Sequence, residues 1–440
     1  MGKLKGFIGL VFDVVDETTN LVERTHDAVV DRTVRRFAPL EPAKSTATVV
    51  TSVQRAISGG VFESIRVVNG LVRDGADAVI DLTEHEFESA MEEASETLAT
   101  PLSSEAAGTA SWVIDQAQAS INGLWGDYLA RRQSDLDLGM DFRVDGRSLQ
   151  LDPQSLRDAI DQPSSKVAVF VHGLATTEWL WSLDSEEHYG TPAVTFGSRL
   201  RDDYGITPLY VRYNTGRHIS QNGQALSELL AELVDAYPLR IEEITLVGHS
   251  MGGLVARSAA HYGDVHRSSW VSHLRHLACI GSPHLGAPLE KSVNLLAGIL
   301  RRVDAAGAQV PAEVLGTRSA GIKDLRHGYI LDDEWYGADP DSVFLNARRN
   351  VPLVDGVGYY FVAATISPDP SHPIGTLLGD LLVRLPSASG QAPEPAHRIP
   401  FRSGVVLPGM DHVHLANHPA VYDALQGFLG ASFGHERPIH

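Results

Sequence analysis

The chain has 440 residues, of which 43% are hydrophobic and 21% are charged. This length exceeds one average domain and supplies enough apolar residues for a sizeable core, so one large domain with an extension is the first expectation. The formal net charge of −19 argues against nucleic acid as a partner and against adhesion to anionic lipid by bulk charge. It leaves open local membrane binding by an amphipathic face.

Cys279 is the only cysteine of the sequence, so an intramolecular disulfide is excluded and a reducing compartment is favoured. The N-terminal apolar run over residues 6–12 ends at Asp13 without a small-residue cleavage site, which argues against a secretory signal. No stretch approaches the roughly 18 apolar residues of a membrane span. We therefore expect a cytoplasmic protein, with peripheral attachment to a membrane left open.

Residues 1–138 have the pattern of helices and contain no catalytic motif. Apolar residues and threonines recur at steps of three and four over residues 8–29 and again over 50–72, which is typical of amphipathic helices. The short proline-containing stretch 39–44 between them favours an antiparallel hairpin. We predict a helical hairpin or bundle over 1–138 that packs on itself or on the rest of the chain. Binding of a protein partner or a membrane surface is the alternative.

From residue 139 the pattern changes to alternating strands and helices. Continuous apolar runs have the length and composition of strands that are buried on both faces of a sheet. They are Lys166–Val171, Thr207–Tyr213, Ile244–Val247, His276–Ile280 and Tyr359–Ile366, with a shorter run at Val405–Leu407. Helical segments between several of these runs predict a mostly parallel, doubly wound α/β sheet, and two short leading strands predict an antiparallel edge. This domain is predicted over 139–432, with a cap insertion at about 285–355 and a tail at 433–440.

One strand-to-helix junction carries a nucleophile pattern. The apolar strand Ile244–Val247 runs into the string G-H-S-M-G-G at 248–253, and a helical pattern follows. A G-x-S-x-G string between a strand and a helix places the serine hydroxyl on a sharp turn at the end of a sheet. Gly248 and Gly252 allow that turn, because a side chain at either position would meet the neighbouring strand or helix. The sequence therefore predicts Ser250 as a nucleophile, with the N-terminus of the next helix favouring negative charge beside it.

Four strings resemble motifs of the α/β-hydrolase fold. V-F-V-H-G-L at 169–174 is similar to the oxyanion strand of lipases, and the string at 248–253 resembles their nucleophile turn. G-S-P-H-L-G-A-P at 281–288 resembles the lipase segment after the next strand. R-Y-N-T-G-R-H-I-S-Q-N-G at 212–223 is similar to a segment of bacterial PGAP1-like (GPI inositol-deacylase-like) hydrolases. The resemblance covers about residues 140–430 and implies an α/β-hydrolase domain of the serine esterase and lipase type.

A serine hydroxyl near neutral pH needs a base, and the base needs an orienting acid. In this fold the acid and then the histidine follow the serine along the chain. His412 follows the last predicted strand, and G-M-D-H at 409–412 resembles the ending that carries the histidine in lipases. His412 is therefore the predicted base, with His414 and His418 close by as alternatives.

The acid is expected after the strand Tyr359–Ile366. Asp369 is the aspartate nearest to the end of that strand. G-D-L-L-V-R-L-P-S-A at 379–388 resembles the lipase string that carries the acid, which indicates Asp380. Asp380 is therefore the predicted acid and Asp369 the alternative. The choice of Asp380 requires the residues between the two to form an insertion that returns to the site.

The oxyanion formed by attack on an ester needs preorganised donors. The predicted donors are the backbone N–H groups of Met251, which follows the nucleophile, and of Leu174. Trp179 and Trp181 come after Leu174 and are predicted to add apolar wall to the substrate site. His172 is expected to bond the loop backbone and to take no part in proton transfer. The sequence contains no cluster with metal-ligand spacing and no phosphate-binding loop, so neither a metal nor a cofactor is predicted.

Together these features predict a serine hydrolase of hydrophobic carboxylic esters, which works through an acyl-enzyme with Ser250, His412 and Asp380 as its triad. Two other interpretations fit the same sequence. One is acyl transfer to an acceptor other than water by the same residues. The other is a non-catalytic α/β-hydrolase scaffold that binds a partner or a membrane through residues 1–138, against which an intact serine–acid–histidine set argues.

Overall fold

The structure is a computed structural model. It describes residues 115, 118–119, 122–134, 136–144, 146–287, 319–336, 347–369 and 379–430. The predicted N-terminal hairpin and the predicted tail at 433–440 lie outside the described residues. So do residues 288–318 and 337–346, which make up most of the predicted cap insertion.

The described residues form one eight-stranded sheet. Its strands are β1 (Met140–Val144), β2 (Arg147–Ser148), β3 (Lys166–Val171), β4 (Thr207–Tyr213), β5 (Glu243–His249), β6 (Leu274–Ile280), β7 (Gly358–Thr365) and β8 (Ser403–Pro408). Their order across the sheet is β2-β1-β4-β3-β5-β6-β7-β8. Strands β3 to β8 pair in parallel, whereas β1 pairs antiparallel with both β2 and β4. The prediction of a mostly parallel sheet with an antiparallel N-terminal edge is confirmed.

Helices follow most of the parallel strands. In chain order, the α-helices of the described ranges are α1 (122–131), α2 (Pro153–Ala159), α3 (Ser185–Tyr189), α4 (Phe196–Tyr204), α5 (Ile219–Ala236), α6 (Met251–Val265), α7 (Ala320–His327), α8 (Asp332–Trp335), α9 (Leu385–Ala388) and α10 (Pro419–Leu429). Of these, α1 and α2 precede β3. Helix α6 begins directly after Ser250, as the nucleophile pattern predicts. Across the described ranges, every helix is too short or too polar to cross a membrane.

The apolar core is divided between the two faces of the sheet. Strand β3 illustrates the division, because Val167, Val169 and Val171 belong to one cluster, whereas Ala168 and Phe170 belong to the other. Successive side chains of a strand point to opposite faces, so a strand covered on both faces is apolar at every position. Helices α5 and α6 complete the first cluster, and α4 and α10 complete the second. Burial on both faces is thus the physical reason for the continuous apolar runs in the sequence.

Helix α1 and the turn after it belong to the same compact unit as the sheet. That unit begins at Gln118, so residues 118–138 lie within it, although the sequence pattern groups them with the extension. Asn122 closes the turn, because its Nδ2 donates to the Leu136 carbonyl at 2.7 Å and its Oδ1 accepts from the Leu138 N–H at 3.1 Å. The chain therefore enters β1 from a helix that is already fixed beside the sheet.

A buried ion pair ties the segment after β3 to strand β4. Arg212 donates from Nε to Glu178 Oε2 at 2.7 Å, and the two side chains are 3% and 6% exposed. Because Glu178→Ala removes this carboxylate from a buried guanidinium, we expect it to lower the free energy of unfolding by about 3–5 kcal/mol, measured by chemical denaturation. The control is Asp333→Ala in the exposed pair Arg349–Asp333, which should cost less than about 1 kcal/mol. Equal losses in the two variants would contradict this account.

Candidate active site

Ser250 lies on the turn between β5 and α6 in a strained backbone conformation. Its φ is 54° and its ψ is −121°, a region that residues with a Cβ rarely adopt. Its N–H donates to the carbonyl of Ile280 at 2.7 Å, which ties the turn to the end of the neighbouring strand β6. A Cβ at Gly252 would lie 2.0 Å from the Val171 carbonyl oxygen, so glycine is required there. Strain of this kind persists where the surrounding fold imposes it, and it is frequent at functional positions.

The side chains of Asp380 and His412 meet beyond the ends of β7 and β8. His412 Nδ1 and Asp380 Oδ2 are 2.8 Å apart, and the His412 backbone N–H donates to the Asp380 carbonyl at 3.0 Å. Asp380 is fully buried, and its Oδ1 accepts from the N–H groups of Leu382 and Val383 at 3.1 and 2.7 Å. The carboxylate is therefore held by its own turn while it orients the imidazole. Because His412 Nδ1 bonds Asp380, the ring nitrogen of His412 that is left to exchange a proton is Nε2.

Gly281 lies between the Ser250 turn and the His412 ring. It follows Ile280, whose carbonyl accepts the Ser250 N–H, and its own φ is 60°. A Cβ at Gly281 would lie 3.2 Å from His412 Cε1, so the imidazole lies directly against this glycine. His249, the neighbour of Ser250, bonds the His412 carbonyl through Nε2 at 2.9 Å. The structure thus brings the predicted nucleophile and the predicted base to the same edge of the sheet.

The pKa of His412 lies above its ordinary value of 6.5. Burial alone lowers this pKa, but the charge and hydrogen bond of Asp380 and the charge of Asp411 outweigh burial. The imidazolium is therefore stabilised, as a base that accepts a proton from a serine requires. The Asp411 carboxylate itself accepts the N–H groups of Val413 and His414, so it is held by its own turn.

The alternative candidates occupy other positions. Asp369 is exposed beyond the end of β7. His414 Nδ1 bonds the carboxylate of Asp411 at 2.8 Å, and His418 accepts the Ala420 N–H at the start of α10 at 3.1 Å. The carboxylate and imidazole that the structure joins beside the nucleophile turn are therefore the two first choices from the sequence.

The loop after β3, residues 172–175, passes directly against the Ser250 side chain. A Cβ at Gly173 would lie 3.0 Å from Ser250 Cβ and 3.3 Å from His249 Nδ1, so this close approach requires glycine. Within the described part of the chain, the N–H groups of Leu174 and Met251 donate to no acceptor. Two backbone donors next to the serine are thus free to bind another group.

His172 and His249 are buried and neutral. Burial lowers the pKa of each imidazole to about 3. His172 Nδ1 bonds the Gly173 carbonyl at 2.9 Å, and its ring stacks on Tyr213 with the centroids 4.5 Å apart. His172 therefore contacts the loop backbone. The bond from His249 to the carbonyl of His412 is a contact that the sequence does not indicate.

The two tryptophans predicted as substrate wall have different surroundings. Trp181 is fully buried, with its ring centroid 5.2 Å from that of Phe170 and 6.1 Å from that of Phe196. This position gives Trp181 a packing role in the core. Trp179 is partly exposed and lies against Gly146, where a Cβ would be 2.6 Å from its ring. Contact of either ring with a substrate stays a prediction.

Thr215 lies behind the 172–175 loop, and the sequence does not single it out. Its Oγ1 accepts the Ala175 N–H at 3.1 Å, and the residue is buried. It belongs to the string 212–223, in which an N-T-G turn directly after a core strand is the signal that could have pointed to it. As for metals, the residues that the structure describes include no group of three histidine, cysteine or carboxylate side chains placed to hold an ion.

The chain is similar in sequence to one protein family and in fold to solved lipase structures. Residues 164–343 match the family model of the PGAP1-like alpha/beta domain, a segment that includes Ser250 and ends before Asp380 and His412. The mature lipase BlEst2 of Bacillus licheniformis is 17% identical and aligns over 61% of this chain and 95% of its own, with a TM-score of 0.39. Lipase 1 of Pelosinus fermentans is 15% identical over 62% of this chain and 100% of its own, with a TM-score of 0.37. No curated protein matches the chain. Residues 164–343 therefore resemble a PGAP1-like alpha/beta domain, and the eight-stranded sheet has the α/β-hydrolase fold.

Proposed function

We propose that this protein is a serine hydrolase that cleaves carboxylic esters through an acyl-enzyme. The observation that carries the proposal is the buried pair of Asp380 and His412, 2.8 Å apart, beside the strained turn at Ser250. A carboxylate that orients an imidazole next to a serine on a strand-to-helix turn is the arrangement that activates a serine hydroxyl.

Acylation begins when Ser250 Oγ attacks the ester carbonyl carbon and its proton passes to His412 Nε2. Asp380 accepts the hydrogen bond from Nδ1–H and stabilises the imidazolium. The carbonyl oxygen becomes an oxyanion, which binds the N–H groups of Leu174 and Met251. Loss of one such donor typically costs about 3–4 kcal/mol of transition-state stabilisation. The ester C–O bond then breaks, and His412 returns the proton to the leaving alkoxide.

Deacylation uses the same groups in reverse. A water molecule attacks the acyl carbon, and its proton passes to His412 Nε2. The bond between the acyl carbon and Ser250 Oγ breaks, His412 returns the proton to the serine, and the carboxylic acid leaves. The two steps together consume one water and need no group beyond those of the chain.

A hydrophobic, uncharged ester is the proposed substrate class. Leu174 is a partly exposed apolar side chain in the loop that passes against Ser250. The net charge of −19 disfavours anionic esters by long-range repulsion.

Hydrolysis of p-nitrophenyl esters with increasing acyl length tests the proposal. We expect the full chain to release p-nitrophenolate above the uncatalysed rate, with a higher kcat/KM for a medium-length acyl chain than for acetate. Circular dichroism of the same sample establishes that the protein is folded. A folded wild-type chain that hydrolyses none of these esters would overturn the proposal.

Asp411 is expected to contribute to the pH range of activity. Hydrolysis should rise with pH as His412 loses its proton, because the neutral imidazole accepts the serine proton. Asp411→Asn removes a negative charge that raises the His412 pKa. That pKa should therefore fall, and the acid limb of kcat/KM should shift to lower pH. The exposed residue Asp158 provides the control, since Asp158→Asn should leave the limb in place. A limb that stays or moves to higher pH in Asp411→Asn would contradict this role.

A further inference from the structure

Helix α1 approaches the 172–175 loop through two glycines. A Cβ at Gly123 would lie 2.7 Å from Ala175 Cβ, and one at Gly126 would lie 1.8 Å from Asn214 Oδ1. The two glycines are three residues apart, so they share one face of the helix. The backbone of that face therefore contacts both the residue after Leu174 and the turn that follows β4.

Thr215 binds the same loop by a hydrogen bond. Its Oγ1 accepts the Ala175 N–H at 3.1 Å, and the residue is 1% exposed. Ala175 has a φ of 56°, which is uncommon for a residue with a Cβ. The hydrogen bond therefore supports a backbone conformation that a residue with a Cβ rarely adopts. The Leu174 N–H is one residue away from this anchor.

Thr215 is itself enclosed by α1, the N-T-G turn and the start of α7. Asn214 Nδ2 donates to the Gly126 carbonyl at 2.8 Å, which ties the turn to α1. A Cβ at Gly216 would lie 2.2 Å from a carbonyl oxygen of α1, and one at Gly321 would lie 2.1 Å from the Thr215 carbonyl oxygen. These approaches leave Thr215 little room to shift.

We propose that Thr215 is a positioning residue for the Leu174 N–H, and that α1 keeps Thr215 in place by packing against the loop and the N-T-G turn. The inference rests on the proposed function, in which this N–H binds the oxyanion. Thr215 acts through Ala175 and not by contact with the reacting atoms. A preorganised donor is effective only at hydrogen-bond distance from the place where the oxyanion forms, so a small displacement of the loop weakens it.

Replacement of the Thr215 hydroxyl tests the proposed positioning role of Thr215. Thr215→Val keeps the shape of the side chain and removes the acceptor, so kcat for a p-nitrophenyl ester should fall by about tenfold while KM stays within about twofold. The loss is smaller than the roughly hundredfold or more expected when a donor itself is removed. Thr215→Ser restores the hydroxyl and should recover most of kcat. A wild-type kcat in Thr215→Val, or an equal loss in Thr215→Ser, would overturn the inference.

Thr195→Val is the matched control for stability. Thr195 Oγ1 caps α4 by accepting the Ser198 N–H at 2.9 Å, away from the 172–175 loop. Both valine variants should lower the thermal midpoint, since each removes a hydroxyl acceptor from a backbone N–H. Only Thr215→Val should also lower kcat and weaken binding of a trifluoromethyl ketone, which forms an oxyanion adduct with the serine. An equal fall of kcat in Thr195→Val would reduce Thr215 to a stability role and overturn the inference.

A methyl group added to α1 tests the proposed role of α1 in fixing Thr215 and the 172–175 loop. Gly123→Ala places a Cβ against the Cβ of Ala175, so the loop must shift and kcat should fall by about tenfold. Ala175→Gly removes the opposing methyl, so the double variant should regain most of the activity relative to Ala175→Gly alone. A folded Gly123→Ala variant with wild-type kcat, or a double variant as slow as Gly123→Ala, would overturn the role of α1.

Wild type and Ser250→Ala, assayed in parallel, distinguish failure of the proposed hydrolase function from failure of the positioning role of Thr215. An inactive wild type, or a Ser250→Ala variant that keeps more than about a tenth of the wild-type kcat/KM, contradicts the proposed function itself. An active wild type and a Ser250→Ala variant below that level, together with unchanged kcat in Thr215→Val, contradict the positioning role alone.

Discussion

Replacement of Ser250 by alanine should lower kcat/KM for an activated ester by at least about 10³-fold, because it removes the proposed nucleophile. Some hydrolysis should remain, since the N–H donors of Leu174 and Met251 are backbone groups that the substitution leaves in place. The fold should persist, because the Ser250 side chain forms no hydrogen bond with the described residues. Steady-state hydrolysis of a p-nitrophenyl ester measures the loss.

A second substitution at Ser250 separates chemistry from strain. Ser250→Gly should be as inactive as Ser250→Ala but more stable to denaturant by about 1–3 kcal/mol, because glycine adopts a φ of 54° at little cost. Ser272→Ala, at an exposed serine outside the site, is the activity control and should match wild type. An alanine variant at Ser250 that keeps more than about a tenth of the activity would exclude it as the nucleophile.

Asp380→Asn should lower kcat by about 10³–10⁴-fold. An asparagine oxygen can still accept the N–H groups of Leu382 and Val383, so the turn should survive. Its amide nitrogen, however, would face His412 Nδ1 as a donor. The imidazole would then carry its proton on Nε2, which is the wrong tautomer for accepting the proton of the serine.

The control for the acid is Asp369→Asn. Asp369 is exposed beyond β7, so its neutralisation should change kcat by less than about twofold. Unfolding midpoints of both variants establish that each is folded at the assay temperature. A larger loss of activity in Asp369→Asn than in Asp380→Asn would reverse the proposed assignment.

The sheet could be predicted from the sequence because its signals are local. The predicted runs Lys166–Val171 and Thr207–Tyr213 coincide with β3 and β4, since strands covered on both faces are apolar throughout. The last strand was predicted less well. It spans Ser403–Pro408, whereas its apolar run is Val405–Leu407. As the edge strand of the sheet, β8 is partly exposed, so its ends carry polar residues and a weaker pattern.

The parts of the candidate site differ in the same way. Ser250 could be predicted from one contiguous string, because a sharp turn between strand and helix requires glycines on either side of the serine. The pairing of Asp380 with His412 was indicated by resemblance, because the two come together only when β7 and β8 pair. Local periodicity carries no information about such a contact.

The packing around Thr215 could not be predicted from the sequence. It depends on α1, the 172–175 loop and the turn after β4, which are far apart along the chain. Gly123 and Gly126 appear in the sequence as weak positions within a helical pattern, since glycine lowers helix propensity. Only the packed structure reveals that they allow the backbone of α1 to approach the loop closely.

Labelling with a fluorophosphonate, followed by mass spectrometry of the peptides, tests directly whether Ser250 is an activated nucleophile. The reagent reacts with a serine that is activated by a base, and it reports the modified residue independently of the natural substrate. We expect one phosphonyl group on Ser250 in the folded wild-type chain, much slower labelling in Asp380→Asn and no labelling at that peptide in Ser250→Ala. A folded wild-type chain that resists the reagent would favour a non-catalytic scaffold, and a label on another serine would contradict the proposed site.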